Sequence, residues 1–184
     1  MKEMARDSKR ERLEELRRKI VEEFLIKGWM DVWFYPRYKG VMGYLGSQDI
    51  VFVGLNPSYS CFPTRHDEFF YDELERVGFE NAHLTDIIKI RSRCKEIKKY
   101  LRDHAIFRKN LEFLLREFDI IQPKIIVAVG SKSGNLLKKN FPEKRRKIYC
   151  IPHYSIRKTL NFEKRIQEFK KELNKVKDIY SKLI

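Results

Sequence analysis

Four short apolar runs limit what this chain can fold into more than any other feature. Ile50–Leu55, a run within Ala82–Ile90, Lys124–Val129 and Lys147–Ile151 are each of strand length, and their apolar residues are not confined to every second position. A strand that is apolar on both faces needs cover on both faces, which is the condition of a parallel sheet enclosed by helices. The stretches between supply that cover. Leu13, Leu16, Ile20, Phe24 and Leu25 recur at helical spacing over 9–27, within a basic N-terminal helix. A helix over 67–77 stops at Gly78, and 97–118 reads as one long helix with Ile97, Leu101, Phe107, Leu111, Leu114, Leu115 and Phe118 on its apolar side. Helices over 132–140 and 161–183 complete the set, and Trp29–Gly46 is an aromatic, Gly-punctuated entry segment. The expected fold is α/β, a three-layer αβα sandwich with a short central, mainly parallel sheet, in a single domain over 1–184. In such sheets the working residues gather in loops beyond the carboxyl ends of the strands.

Charge narrows the partner. The chain has 184 residues, with 40 Lys and Arg against 26 Asp and Glu, a net charge of +14. A surplus of that sign favours a polyanion, and DNA, duplex or single-stranded, is the expected partner of a monomer. A Lys/Glu-rich thermophile surface explains the abundance of charge but not its imbalance. The apolar runs are too short to span a bilayer, and the N-terminus is charged from Lys2 with no apolar signal core, so the expectation is a cytoplasmic protein, nucleoid-associated if the cell is prokaryotic. Cys61, Cys94 and Cys150 lack C-x-x-C spacing, and His66, His83, His104 and His153 form no H-x-x-x-H set, so no metal or other cofactor is expected.

Three strand ends carry the chemistry. Gly54-Leu55-Asn56-Pro57-Ser58 holds Asn56 on a stiff loop, where an amide can orient a water and donate to a substrate; an ordinary Asn-Pro turn has the same sequence. His83-Leu84-Thr85-Asp86-Ile87-Ile88-Lys89 places Thr85 and Asp86 between apolar neighbours, which also suits a helix N-cap. Ile151-Pro152-His153-Tyr154-Ser155-Ile156-Arg157 crowds an imidazole, a phenol, a hydroxyl and a guanidinium into one loop, or forms a polar cap to the last helix. A fourth piece, Val127–Gly134, runs a strand through Gly130-Ser131 into a helix whose first N–H groups suit a phosphate. It matches neither G-x-x-x-x-G-K-[ST] nor G-x-G-x-x-G, so nucleoside-triphosphate and dinucleotide sites find no support.

In order and spacing these pieces resemble the uracil-DNA glycosylase superfamily, and within it the mismatch-specific uracil/thymine-DNA glycosylases. Gly54-Leu55-Asn56-Pro57 looks like that family's Gly-hydrophobic-Asn-Pro motif, Leu84–Lys89 like its Thr-polar-hydrophobic stretch, Gln122–Lys132 like its strand–Gly–helix element, and Ile151–Arg157 like its second active-site motif. The likeness covers roughly 47–180. It departs from the usual pattern at Ser58, where Gly is common, at His153, where Ser is common, and at Ile151, where His or Asn is frequent.

The resemblance implies a monofunctional DNA glycosylase of base-excision repair that flips a deaminated base, uracil foremost, out of DNA and hydrolyses its N-glycosidic bond. Asn56 would then hold the attacking water, without acting as a base, and His153 would donate to the departing base or touch phosphate. Gly54, Leu55, Pro57 and Ser58 would shape the pocket, Phe62 would stack on the base, and Asp86 would accept from a ring N–H or an exocyclic amine. Gly130, Ser131, Lys132, Ser155 and Lys158 would meet the DNA backbone, and Tyr154 and Arg157 would fill the hole left by flipping. In relatives restricted to uracil a bulky Tyr follows the motif's Pro. Ser58 implies a more permissive pocket unless Tyr59 takes that place. The alternatives are a DNA-binding protein on the same scaffold with impaired catalysis, a glycosylase for another deaminated or 5-substituted base, and a protein acting on RNA or free nucleosides.

Overall fold

A computed structural model describes residues 2–29, 31–93, 96–155 and 162–184. Four strands, β1 (Ile50–Gly54), β2 (His83–Asp86), β3 (Ile125–Val129) and β4 (Ile148–Ile151), form one all-parallel sheet in the order β2-β1-β3-β4. The α/β sandwich expected from the apolar runs is the observed architecture. Alternate residues of each strand serve opposite layers. Val51 and Val53 of β1, with Ile126 and Ala128 of β3, pack with α1 (Lys2–Ile26) and α4 (His104–Ile121) through Leu13, Ile20, Phe24, Phe113 and Leu114. Ile50 and Phe52, with Val127 and Val129, face α2 (Arg65–Val77) and α6 (Phe162–Ser181) through Phe70, Leu74, Phe169 and Leu173. No helix among the described residues is long and apolar enough to cross a membrane.

Local chemistry sets the element ends. Thr64 and Asp67 form a reciprocal capping box that starts α2, and Gly78, left-handed at φ 85°, ends it. The expected single helix over 97–118 is two. α3 (Ile97–Arg102) ends at Asp103, whose backbone is extended (ψ 105°) and whose carboxylate accepts from the Ala105 and Ile106 N–H groups to begin α4. The apolar spacing runs across this point, but Asp103 satisfies the first N–H groups of a new helix better than it serves the interior of an old one. The N-cap reading of Thr85 and Asp86 also gives way: both lie in β2 and are buried. α5 (Ser131–Asn140) follows β3 through Gly130, whose φ of 91° is open to glycine and strained for other residues.

A buried ion pair ties β2 to α4. Lys89 Nζ donates to Thr85 Oγ1 (2.7 Å), the Asp86 carbonyl (2.6 Å) and Glu117 Oε2 (3.0 Å), which uses all three ammonium protons. Glu117 also accepts from Thr85 Oγ1 (2.9 Å) and from the Tyr44 hydroxyl (3.1 Å). Burial alone would raise the Glu117 pKa, but the Lys89 ammonium outweighs it and holds the carboxyl below its ordinary value. Removing one partner strands the other charge in the core, at a typical cost of about 3–5 kcal/mol. Lys89→Met is therefore expected to lower unfolding stability by about that amount in urea titrations; a variant as stable as the wild type would show that the pair is not what secures β2.

Candidate functional site

The carboxyl ends of β1, β2 and β4 open onto a cleft of about 350 Å³. Leu55, Asn56, Pro57, Ser58, Phe62, Asp86, Lys132, His153, Tyr154 and Ser155 all line it. Three loops and the start of α5, far apart in sequence, are thus brought to one place. Gly54 lies at the end of β1 beneath this cleft, and Gly130 and Ser131 open α5 beside it. Arg157 and Lys158 fall outside the described residues.

Asn56 is fixed by its amide nitrogen. Nδ2 donates to Ser92 Oγ (2.8 Å), the Pro57 carbonyl (3.0 Å) and the Ser92 carbonyl (3.3 Å), while the Ser92 N–H donates back to the Pro57 carbonyl (3.0 Å). The loops after β1 and β2 are clasped at this point. The expectation that the Asn56 amide also donates to a substrate is corrected: its N–H groups are taken up by the protein, and the carbonyl oxygen is the group left to orient a water. Ser92 is buried and has no counterpart in the motif by which Asn56 was found.

Asp86 lies at the floor. A Cβ built on Gly54 would stand 2.2 Å from Asp86 Oδ1, so glycine at 54 is what makes room for the carboxyl group. Burial pushes the Asp86 pKa up to about 7; the Lys89 ammonium pulls down, Glu117 pushes up, and the nearby Tyr35 hydroxyl pulls down. Near neutral pH the group is therefore divided between an acid that donates and accepts and a carboxylate that only accepts.

His153 faces the cleft from the loop after β4. Its Nδ1 accepts from the Ser155 N–H (2.9 Å), which puts the proton of the neutral ring on Nε2. Desolvation of the ring lowers its pKa, His66 acts in the same direction and Asp67 opposes them. The residue as a whole is exposed at the cleft mouth, so the shift speaks to its protonation state rather than to stability. Tyr154 does not project as a wedge. Its ring is stacked between Phe70 (4.4 Å, 9°) and His153 (4.7 Å, 21°), as part of the cleft wall.

Ser58 and Tyr59 separate clearly. Ser58 lines the cleft, with its Oγ accepting from the Ser60 N–H at 3.3 Å, whereas the Tyr59 hydroxyl donates outward to Asp31 Oδ2 (3.1 Å). Phe62 lines the cleft within an aromatic group formed with Tyr38 (5.4 Å), Tyr71 (5.6 Å) and Trp33 (6.1 Å). At the start of α5, Lys132 is exposed at the rim, and Ser133 Oγ donates to the Val53 carbonyl (2.8 Å), pinning the helix start to β1.

A model of the uracil DNA glycosylase superfamily matches residues 42–177, well over half the chain. The chain belongs to the uracil DNA glycosylase superfamily. The match takes in all four strands and every cleft residue named above except Trp33 and Tyr35. No curated protein matches the chain.

Sequence reasoning missed Tyr35, His66, Asp67, Arg91 and Ser92, all of which line the cleft. The aromatic run around Tyr35 was visible as an irregular segment, but nothing local shows that it folds back over the end of β1. Among the described residues no group of three or more His, Cys, Asp or Glu side chains gathers at metal-binding distance.

Asp86 also ties the site to pH. Its folded pKa lies above its unfolded value of about 4, so the folded protein holds the proton more tightly and loses stability as pH rises from about 4 to about 7. Asp86→Asn removes the buried charge. It is expected to raise the melting temperature at pH 8 and to change it much less at pH 5; an equal change at both would mean that Asp86 does not titrate in this range.

Proposed function

We propose that this superfamily member is a DNA glycosylase of base-excision repair that takes a flipped deaminated base, uracil foremost, into the cleft and hydrolyses its N-glycosidic bond. The observation that carries this reading is Asn56. With its amide nitrogen tied to Ser92 and Pro57, its carbonyl oxygen is what remains to position a water at the cleft. In the reaction the C1′–N bond breaks with its electron pair going to the base, water oxygen bonds to the oxocarbenium-like C1′, and the water's proton leaves to solvent as the base takes one up. Asn56 orients that water without accepting its proton. The neutral His153, with its proton on Nε2, donates a hydrogen bond to the departing base, and preorganised donors of this kind act most strongly where water is excluded. Phe62 packs on a base face, and Lys132 with the first N–H groups of α5 meets phosphate.

Asp86 suggests which bases fit. Deaminated bases share a lactam edge, a carbonyl beside a ring N–H. A protonated carboxyl donates to the first and accepts from the second; a carboxylate satisfies only the N–H. The Gly54-Leu55-Asn56-Pro57 motif and the small Ser58 at the cleft favour kinship with the mismatch-specific uracil/thymine glycosylases and a pocket that tolerates a 5-substituent, discriminating one methyl group by about 1–3 kcal/mol.

Incubation with DNA carrying uracil, thymine mispairs, 5-substituted uracils, hypoxanthine or ethenocytosine, followed by alkaline cleavage, tests the reading. Abasic sites are expected, most on uracil. If none forms on any substrate while binding remains steeply salt-dependent, the protein is a DNA-binding member of the superfamily with impaired catalysis, a reading that His153, where Ser is usual, favours. Asn56→Ala is expected to cut turnover about 100- to 1,000-fold with DNA affinity little changed; wild-type turnover would place the water elsewhere.

Because the lactam edge needs the protonated carboxyl, single-turnover uracil release is expected to weaken as pH rises through about 7. Asp86→Asn, an amide that donates and accepts at every pH, should flatten that limb. A limb unchanged in the variant would assign the titration to another group.

A further inference from the structure

Among the Phe, Tyr and Trp side chains of the described residues Tyr59 is the only exposed one, at 44% of its surface. Leaving a ring in water forgoes burial, so its setting matters. The ring is held in place rather than loose. Its hydroxyl donates to Asp31 Oδ2 at 3.1 Å, and Asp31, left-handed at φ 65°, accepts the Arg91 N–H on its own carbonyl at 2.9 Å. Arg91 also spans the residues on either side of Tyr59, with Nε donating to the Ser58 carbonyl (2.9 Å) and an Nη to the Ser60 carbonyl (2.8 Å). The guanidinium carbons of Arg91 and Arg93 lie 5.8 and 6.0 Å from the ring centroid. Ser58, Ser60 and Arg91 line the cleft, so the ring stands just outside its wall.

An aromatic ring fixed beside guanidinium groups on a chain of net charge +14 has the makings of a site for single-stranded nucleic acid: a flat face for a base and cations for its phosphates. Because the loop is already ordered, little entropy is lost when a base settles on it. A duplex with one flipped nucleotide does not offer such a base, since the neighbours of the flipped nucleotide stay paired and stacked. A single strand does.

We propose that Tyr59, with Arg91 and Arg93, is a stacking platform for the unpaired base adjacent to the one in the cleft when the bound DNA is single-stranded; this rests on the glycosylase reading of the cleft. Anisotropy titrations with a labelled single-stranded oligonucleotide carrying one uracil, and with the same strand in a duplex, test it on the wild type, Tyr59→Phe and Tyr59→Ala. Tyr59→Ala is expected to weaken single-strand binding about 5- to 150-fold, the usual range for losing one base–aromatic stack. Tyr59→Phe should keep most of the affinity, and duplex binding should change far less in either variant. Single-strand binding by Tyr59→Ala equal to the wild type, or an equal loss on both forms of DNA, overturns the platform. Base release from the same oligonucleotides is scored separately. A selective loss of single-strand binding without any base release would leave the platform standing and remove the glycosylase reading. Base release with unchanged binding by Tyr59→Ala would do the reverse.

Discussion

The Lys89–Glu117 pair is the interaction on which the site depends. β2 is an edge strand of only four residues, and a short edge strand has few ladder bonds to hold it. The Lys89 ammonium bonds the Thr85 hydroxyl and the Asp86 carbonyl, and through Glu117 it anchors both to α4. A charge inside a protein is expensive unless it is fully paired, so this arrangement tolerates few alternatives. Its consequence for function is positional. Asp86 is fixed from behind and meets the end of β1 from the front, where Gly54 leaves it space.

The parallel sheet then converts strand order into chemistry. With β1 central and β2 and β3 on either side of it, the loop carrying Asn56 meets the loop of Asp86 on one flank and the start of α5 on the other. The Asn56–Ser92 clasp closes the first of these contacts and the Ser133–Val53 hydrogen bond the second. Both contacts hold polar groups of separate loops in fixed positions at one end of the sheet. The loop after β4 completes the wall with His153, whose proton is placed on Nε2 by one backbone N–H.

Much of this is legible in the sequence. Strand-length runs apolar on both faces imply helices on both sides, because an apolar strand face left in water is unfavourable whatever its neighbours. Gly54-Leu55-Asn56-Pro57, Asp86 and the Pro152–Ser155 loop were recognisable because a strand end is a local feature, written in consecutive residues. The errors share a cause. The helix break at Asp103 lies within a continuous apolar pattern, and periodicity reports which face is buried, not where the backbone turns. Thr85 and Asp86 look like caps in the sequence because Glu117 and Tyr35, which meet them in the fold, lie far from them along the chain.

The sequence by itself determined the layered α/β class, the basic character and the strand ends at which chemistry gathers, since each follows from the spacing or type of nearby residues. Only the tertiary structure decided that Asn56 spends its amide nitrogen on Ser92, that Asp86 lies in a buried floor where its carboxyl titrates near neutrality, that Tyr154 is stacked in the wall, and that Tyr59 faces outward while Ser58 faces the cleft. Hydrogen-bond partners and desolvation are properties of groups brought together from distant parts of the chain, and they come into being only when the loops after β1, β2 and β4 share one end of the sheet.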